Sequence, residues 1–159
     1  MRHDITFPSE GLNCAGWLYV PDNQKSGEQR PAIVMAHGFS GVKEQYLDTF
    51  AEVFAAAGFV TLVFDYRYLG ASEGTKQGRI IPAEQQEDYR NAITWVSLRP
   101  EVDALRIGVW GSSYSEWQKA GSAYQEIAHG YSCRASDKYR CHVQSTGDPV
   151  FSRICPADR

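Results

Sequence analysis

Two short stretches carry residue types and spacings suited to nucleophilic chemistry. Gly111-Ser112-Ser113-Tyr114-Ser115 follows a short apolar run, Ile107 to Trp110. A strand that ends in Gly-x-Ser-x-small and turns directly into a helix holds the serine in a strained backbone conformation. Small residues two before and two after it let the strand and the helix approach each other. Ser113 occupies the nucleophile position and Gly111 the first small position, while Ser115 stands where a second glycine is usual. A serine hydroxyl attacks poorly until an imidazole takes its proton and a carboxylate orients that imidazole. Asp137 and His142 follow Ser113 in the order acid, then base. They are weak triad candidates, because no buried strand is expected ahead of either to position it.

The second stretch is His37-Gly38-Phe39-Ser40-Gly41, after the apolar run 31–37. A backbone N–H from such a loop, paired with that of the residue after the nucleophile, can hold the oxyanion of a tetrahedral intermediate; each such donor lowers the barrier by roughly 3 kcal/mol. Here those donors would be Phe39 and Tyr114. His37 is expected to hydrogen-bond the loop backbone rather than act as the base. Asp65, in "FDYRYLGASEG", is expected to be structural, pairing with Arg67 while Gly70 and Gly74 shape the loop. Cys133, Cys141, His142 and Cys155 match no zinc-ligand spacing, so no metal is expected.

These groups need a frame. Residues 3–8 and 12–20, separated by Ser9-Glu10-Gly11, read as an antiparallel hairpin. Residues 31–37, 59–66 and 105–110 are continuous apolar runs, as expected of strands buried on both faces. Between them, Leu47, Phe50, Val53, Phe54 and Ala57 recur at helical spacing with Gly58 as a stop. Tyr89, Ala92, Ile93 and Val96 do the same behind Pro82. Strands alternating with helices predict an α/β fold: a mostly parallel sheet with right-handed crossovers and the hairpin at its edge. Ligands of such sheets gather at the carboxyl ends of the strands, where His37, Asp65 and Gly111–Ser115 all fall.

The 159 residues, 43 % hydrophobic and 13 % aromatic, suit one globular domain, and the net charge of −3 without a basic run argues against nucleic acid or an anionic membrane surface as partner. No signal-peptide-like or membrane-spanning apolar stretch is present, so a cytoplasmic chain is expected. Cys14, Cys133, Cys141 and Cys155 form no CxxC pair and are expected as free thiols.

Taken in order, "HGFSGVKE", "VFDYRYLGASEG", "IIPAEQQEDYRNAITWV" and "RIGVWGSSYS" resemble the amino-terminal half of an α/β-hydrolase. The resemblance is closest to the dienelactone-hydrolase and X-Pro-dipeptidyl-peptidase-like branch, with its polyketide thioesterase and acyl-transferase relatives. It spans residues 4–115. It implies Ser113 as nucleophile, Phe39 and Tyr114 as oxyanion donors, and a small-molecule acyl substrate. An ester, thioester or amide would be cleaved through an acyl-enzyme without cofactor or metal. In that branch the elbow continues Ser-Gly-Gly into an Ala/Val-rich helix and a further strand. Here Glu116 and Trp117 follow instead.

The last 44 residues contain no Leu and no Met, so they offer little apolar surface to offset ordering. A helix over 114–128 is expected from Trp117, Ala120, Tyr124, Ile127 and Ala128, then irregular or disordered chain. The division reads as a hydrolase half at 1–115 and an atypical tail at 116–159, as a truncated or frame-shifted product would show. Only 46 residues follow Ser113, too few for the acid- and base-bearing loops of the family it resembles. Three consequences are expected: little or no turnover by this polypeptide, a non-catalytic remnant or binding module as the alternative, and self-association through a bare sheet edge. Acyl transfer shares every motif with hydrolysis.

Overall fold

The computed structural model describes residues 1–75, 77–111 and 113–115 with their side chains, and the strands at 131–136 and 140–144 as backbone. The elements in chain order are β1 (Arg2–Ser9), β2 (Leu12–Tyr19), β3 (Arg30–Ala36), α1 (Leu47–Ala56), β4 (Val60–Phe64), α2 (Pro82–Ser97), β5 (Val102–Gly111), β6 (Tyr131–Ser136) and β7 (Arg140–Gln144). One sheet joins all the strands in the order β1-β2-β4-β3-β5-β6-β7. The four central strands β4, β3, β5 and β6 run parallel, β1 and β2 form the antiparallel hairpin at one edge, and β7 returns antiparallel to β6 at the other. This is the α/β sheet that the alternating strands and helices predict.

The two faces of the sheet are covered by different helices, and the period of two along each strand sorts its residues between them. Ala32, Val34 and Ala36 of β3, with Val60, Leu62 and Phe64 of β4, pack under the Tyr89, Ala92, Ile93 and Val96 stripe of α2. Ile33, Met35 and Val63 turn the other way, toward Leu47, Ala51 and Phe54 of α1. With both faces covered, every second residue is no longer free to be polar, and this is why the strands read as continuous apolar runs. Burying each Val, Leu or Phe contributes about 1.5–3 kcal/mol.

α1 is shorter and rotated relative to the sequence reading. It starts at Leu47 behind Tyr46, its buried positions are Leu47, Ala51 and Phe54, and Val53 is 59 % exposed. Val53 and Phe54 are successive on a helix, so only one of them can lie at the centre of the stripe, and the larger ring takes it. α2 keeps its expected face and also buries Gln85 and Asp88.

Beyond the elbow the structure departs from the sequence reading. β6 and β7 stand where irregular chain is expected past residue 129. The physical reason lies in the sheet: β5 presents an unpaired edge to any extended segment. Tyr131-Ser-Cys-Arg-Ala-Ser136 and Cys141-His-Val143 alternate in polarity with the strand period even though they lack Leu and Met. The outer edge of β5 is therefore paired with β6 rather than bare. The helix expected over 114–128 lies, from residue 116 on, outside the described residues.

Candidate active site

β5 ends at Gly111, and Ser113 follows with φ of 55°, a left-handed conformation that costs a non-glycine residue about 1–2 kcal/mol. Its side chain is exposed while Ser115 is fully buried beneath it. A Cβ on Gly111 would collide with Ser115 Oγ and come within 2.9 Å of the Ser115 carbonyl carbon and oxygen. Glycine at 111 is thus required by close approach, and Ser115 fills the second small position without a clash. From α2, the Tyr89 hydroxyl donates to the Trp110 carbonyl oxygen at 2.8 Å, which pins the end of β5 to the helix. Burial pushes the phenols of Tyr89 and its ring neighbour Tyr66 well above their ordinary range, so both stay neutral.

Ala36, the last residue of β3, is the parallel partner of Gly111. The loop carrying Phe39 and the elbow therefore leave the sheet side by side at its carboxyl edge. The ring of Phe39 is 64 % exposed and meets the ring of Tyr114 edge-on, with centroids 5.5 Å apart. Among the described residues, neither the Phe39 nor the Tyr114 backbone N–H meets an acceptor. Within the described residues both N–H groups are thus open, one on the residue after the exposed serine and one on the loop beside it.

The Phe39 loop is held from below. His37 is buried, its Nδ1 lies 2.9 Å from the Gly38 carbonyl oxygen, and its ring stands edge-on to Tyr66. That contact to the loop backbone is the role read from the sequence. Burial holds the imidazole below its ordinary value, against the pull of the Gly38 carbonyl and of Asp65, so the ring is neutral near pH 7.

Asp65 is fully buried and does not pair with Arg67 as the sequence reading expects. Its carboxylate accepts the Lys43 backbone N–H and the Lys43 ammonium, each at 2.7 Å, and the Ala71 backbone N–H at 3.0 Å. Burial alone would lower the Lys43 ammonium; its hydrogen bonds to Asp65 and Glu44 more than offset this and hold it above the ordinary lysine value. Arg67 turns instead to α2, where its Nε donates to Asp88 Oδ1 at 2.7 Å and its backbone N–H to Oδ2 at 3.0 Å. On a continuing strand Asp65 and Arg67 would share a side. β4 ends at Phe64, however, and the chain turns from Arg67, with the Leu69 N–H on the Tyr66 carbonyl oxygen at 3.1 Å, so the two side chains part to different partners. Ser9 joins the Arg67–Asp88 pair from the hairpin, with Arg67 Nη2 3.1 Å from its hydroxyl oxygen.

The structure therefore brings Ser113, Phe39 and Tyr114 together at one edge. Asp137 lies outside the described residues. His142 sits within β7 as the register partner of Arg134, which in turn pairs with Gly111. Sequence reasoning misses Lys43 and Asp88. Asp88 had a signal, being one residue from Tyr89 and four from Ala92 on the buried side of α2. Lys43 had none, because its acid lies 22 residues away.

A parallel sheet covered on both faces, with a serine at positive φ where its central strand turns into the next element, defines the class of the α/β hydrolases. Within that class the chain belongs to the X-Pro dipeptidyl-peptidase (S15) family, which it matches over residues 11–130. The match runs past Ser115, where the resemblance read from the motifs stops. The quorum-quenching protein AidA of Acinetobacter baumannii is 39 % identical over 111 residues, covering 70 % of this chain and 36 % of its own length. The thiohydrolase aneE of Aspergillus aculeatus is 41 % identical over 114 residues, covering 72 % and 34 %. The solved α/β hydrolase GrgF from Penicillium sp. sh18 superposes with a TM-score of 0.76 at 27 % identity, over 96 % of this chain and 50 % of its own. The chain thus spans about a third of the length of these two curated relatives.

Proposed function

We propose that Ser113 is the nucleophile of a serine-type acyl hydrolase, with the backbone N–H groups of Phe39 and Tyr114 as its oxyanion hole. The observation that carries this reading is the exposed serine at φ 55°, one parallel strand away from a loop whose Phe39 N–H meets no acceptor among the described residues. In the reaction Ser113 Oγ bonds to the acyl carbon of an ester or thioester, the carbonyl electrons move to the oxygen between the two N–H groups, and the tetrahedral species expels the alcohol or thiol. Water then attacks the acyl-enzyme and releases the acid. The thiohydrolase relative favours a thioester as substrate.

The proton of Ser113 needs an acceptor. Within the chain Asp137 and His142 are the candidates for acid and base, in the order the elbow fold uses. Among the described side chains the buried imidazole is His37, which is committed to Gly38 and faces Asp65. Slow turnover by this polypeptide is the corresponding expectation. Hydrolysis of aryl esters and short acyl thioesters by the chain and by Ser113→Ala tests the reading. A low rate abolished in Ser113→Ala supports it, and equal rates in both overturn it.

A further inference from the structure

We propose that Asp65 is the positioning residue of the oxyanion hole: its buried carboxylate fixes the segment from His37 to Lys43 and thereby sets where the Phe39 N–H points. This rests on the reading of Ser113 and Phe39 given above. Phe39 lies inside a segment that Asp65 borders at both ends and binds at the Lys43 end. At the first end His37 packs beside Asp65, its Nε2 3.8 Å from Oδ1 and outside hydrogen-bond reach, while the other nitrogen of the same ring reaches the carbonyl of Gly38, the residue before Phe39. At the other end Lys43 gives Asp65 both its ammonium and its backbone N–H at 2.7 Å. Between them the Gly41 N–H closes a turn onto the Gly38 carbonyl oxygen at 3.2 Å.

The backbone contact decides between a positioning role and an ordinary ion pair. An ammonium on a flexible four-carbon stem can follow a carboxylate through many loop conformations, whereas a main-chain N–H at 2.7 Å is met only when the loop backbone itself is in one place. Asp65 is equally fixed from the far side. Ala71 N–H binds the same carboxylate at 3.0 Å, and the Ser72 hydroxyl binds the Asp65 carbonyl oxygen at 2.6 Å. Gly70, at φ 54°, leaves open the space where a Cβ would strike the carboxyl group. Asp65 itself directly follows β4 on the Tyr66 side and does not touch the reacting atoms. It acts through Phe39.

The test is amide NMR on the ¹⁵N-labelled chain before and after Ser113 is phosphonylated with a fluorophosphonate, whose phosphoryl oxygen takes the oxyanion's place. In the unsubstituted chain the Phe39 and Tyr114 amide protons should both move downfield. In Asp65→Asn only Tyr114 should move, with the Phe39 response lost. A destabilised fold alone would not separate the two donors. If Asp65→Asn fails to fold, the double variant Asp65→Asn, Lys43→Met removes both buried charges together and should show the same selective loss. A Phe39 shift in either folded variant equal to that of the unsubstituted chain overturns the Asp65 assignment alone. No adduct at Ser113, or a Tyr114 amide that stays in place in the unsubstituted chain, overturns the nucleophile reading and this proposal with it.

Discussion

The rings of Phe39 and Tyr114 meet edge-on at 5.5 Å, so the two residues proposed as oxyanion donors touch through their side chains. This joins the loop after β3 to the elbow after β5 above the sheet, where no backbone ladder connects them. An aromatic pair of this geometry is worth about 0.5–1.5 kcal/mol beyond its buried area. A double-mutant cycle of Phe39→Ala and Tyr114→Ala by urea unfolding should give a coupling of that size, at the low end because Phe39 is 64 % exposed. Strict additivity would mean that the contact ties nothing together.

Strain at the elbow predicts an unequal pair of substitutions. Both Ser113→Ala and Ser113→Gly remove the hydroxyl, but only glycine accepts φ of 55° without a steric penalty. Ser113→Gly should be more stable than Ser113→Ala by about 1 kcal/mol in urea denaturation. Equal midpoints would show that the positive φ is not strained in solution.

The frame and the motifs were legible for a common reason, which is that local pattern and tertiary role agree there. The runs at β3, β4 and β5 are apolar throughout because both sheet faces are covered, and Gly111, Ser113 and Ser115 are constrained by neighbours within four residues. The polar scaffold was not legible. Lys43 meets Asp65 across 22 residues and Arg67 meets Asp88 across 21, so the partner of each charge is fixed by sheet order and by the turn that follows β4, neither of which is written locally. A local reading pairs Asp65 with Arg67 because they are close in sequence. β6 and β7 were missed for a related reason: their pairing depends on the waiting edge of β5 rather than on their own apolar content.

The Arg67–Asp88 pair should behave as a buried ion pair does. Arg67→Met leaves the fully buried Asp88 carboxylate with Ser9 but without its cation, and should cost about 3–5 kcal/mol. Arg67→Met combined with Asp88→Leu should recover most of that loss. If the double variant is no more stable than Arg67→Met, the penalty comes from lost packing rather than from a stranded charge.

His37 sets an acid limit on stability. Burial favours its neutral ring, so the folded chain binds that proton more weakly than the unfolded chain, whose imidazole titrates near 6.5. The contribution is complete above that value and is lost as pH falls below it toward the depressed value of the folded state. His37→Asn keeps a donor for the Gly38 carbonyl and does not titrate. Between about pH 7.5 and about pH 5.5, bracketing the ordinary imidazole value, the parent chain should lose more unfolding free energy than this variant. Parallel losses would place a protonated ring in the fold.

The central claim is that the hydroxyl of residue 113 is the reacting group, and the most direct measurement is peptide mapping by mass spectrometry after exposure to a fluorophosphonate. The account predicts a single phosphonyl adduct on Ser113, formed slowly, with none in Ser113→Ala. An adduct confined to Ser112, Ser115 or any residue away from the turn would contradict it, as would a chain left unmodified after prolonged exposure to excess reagent.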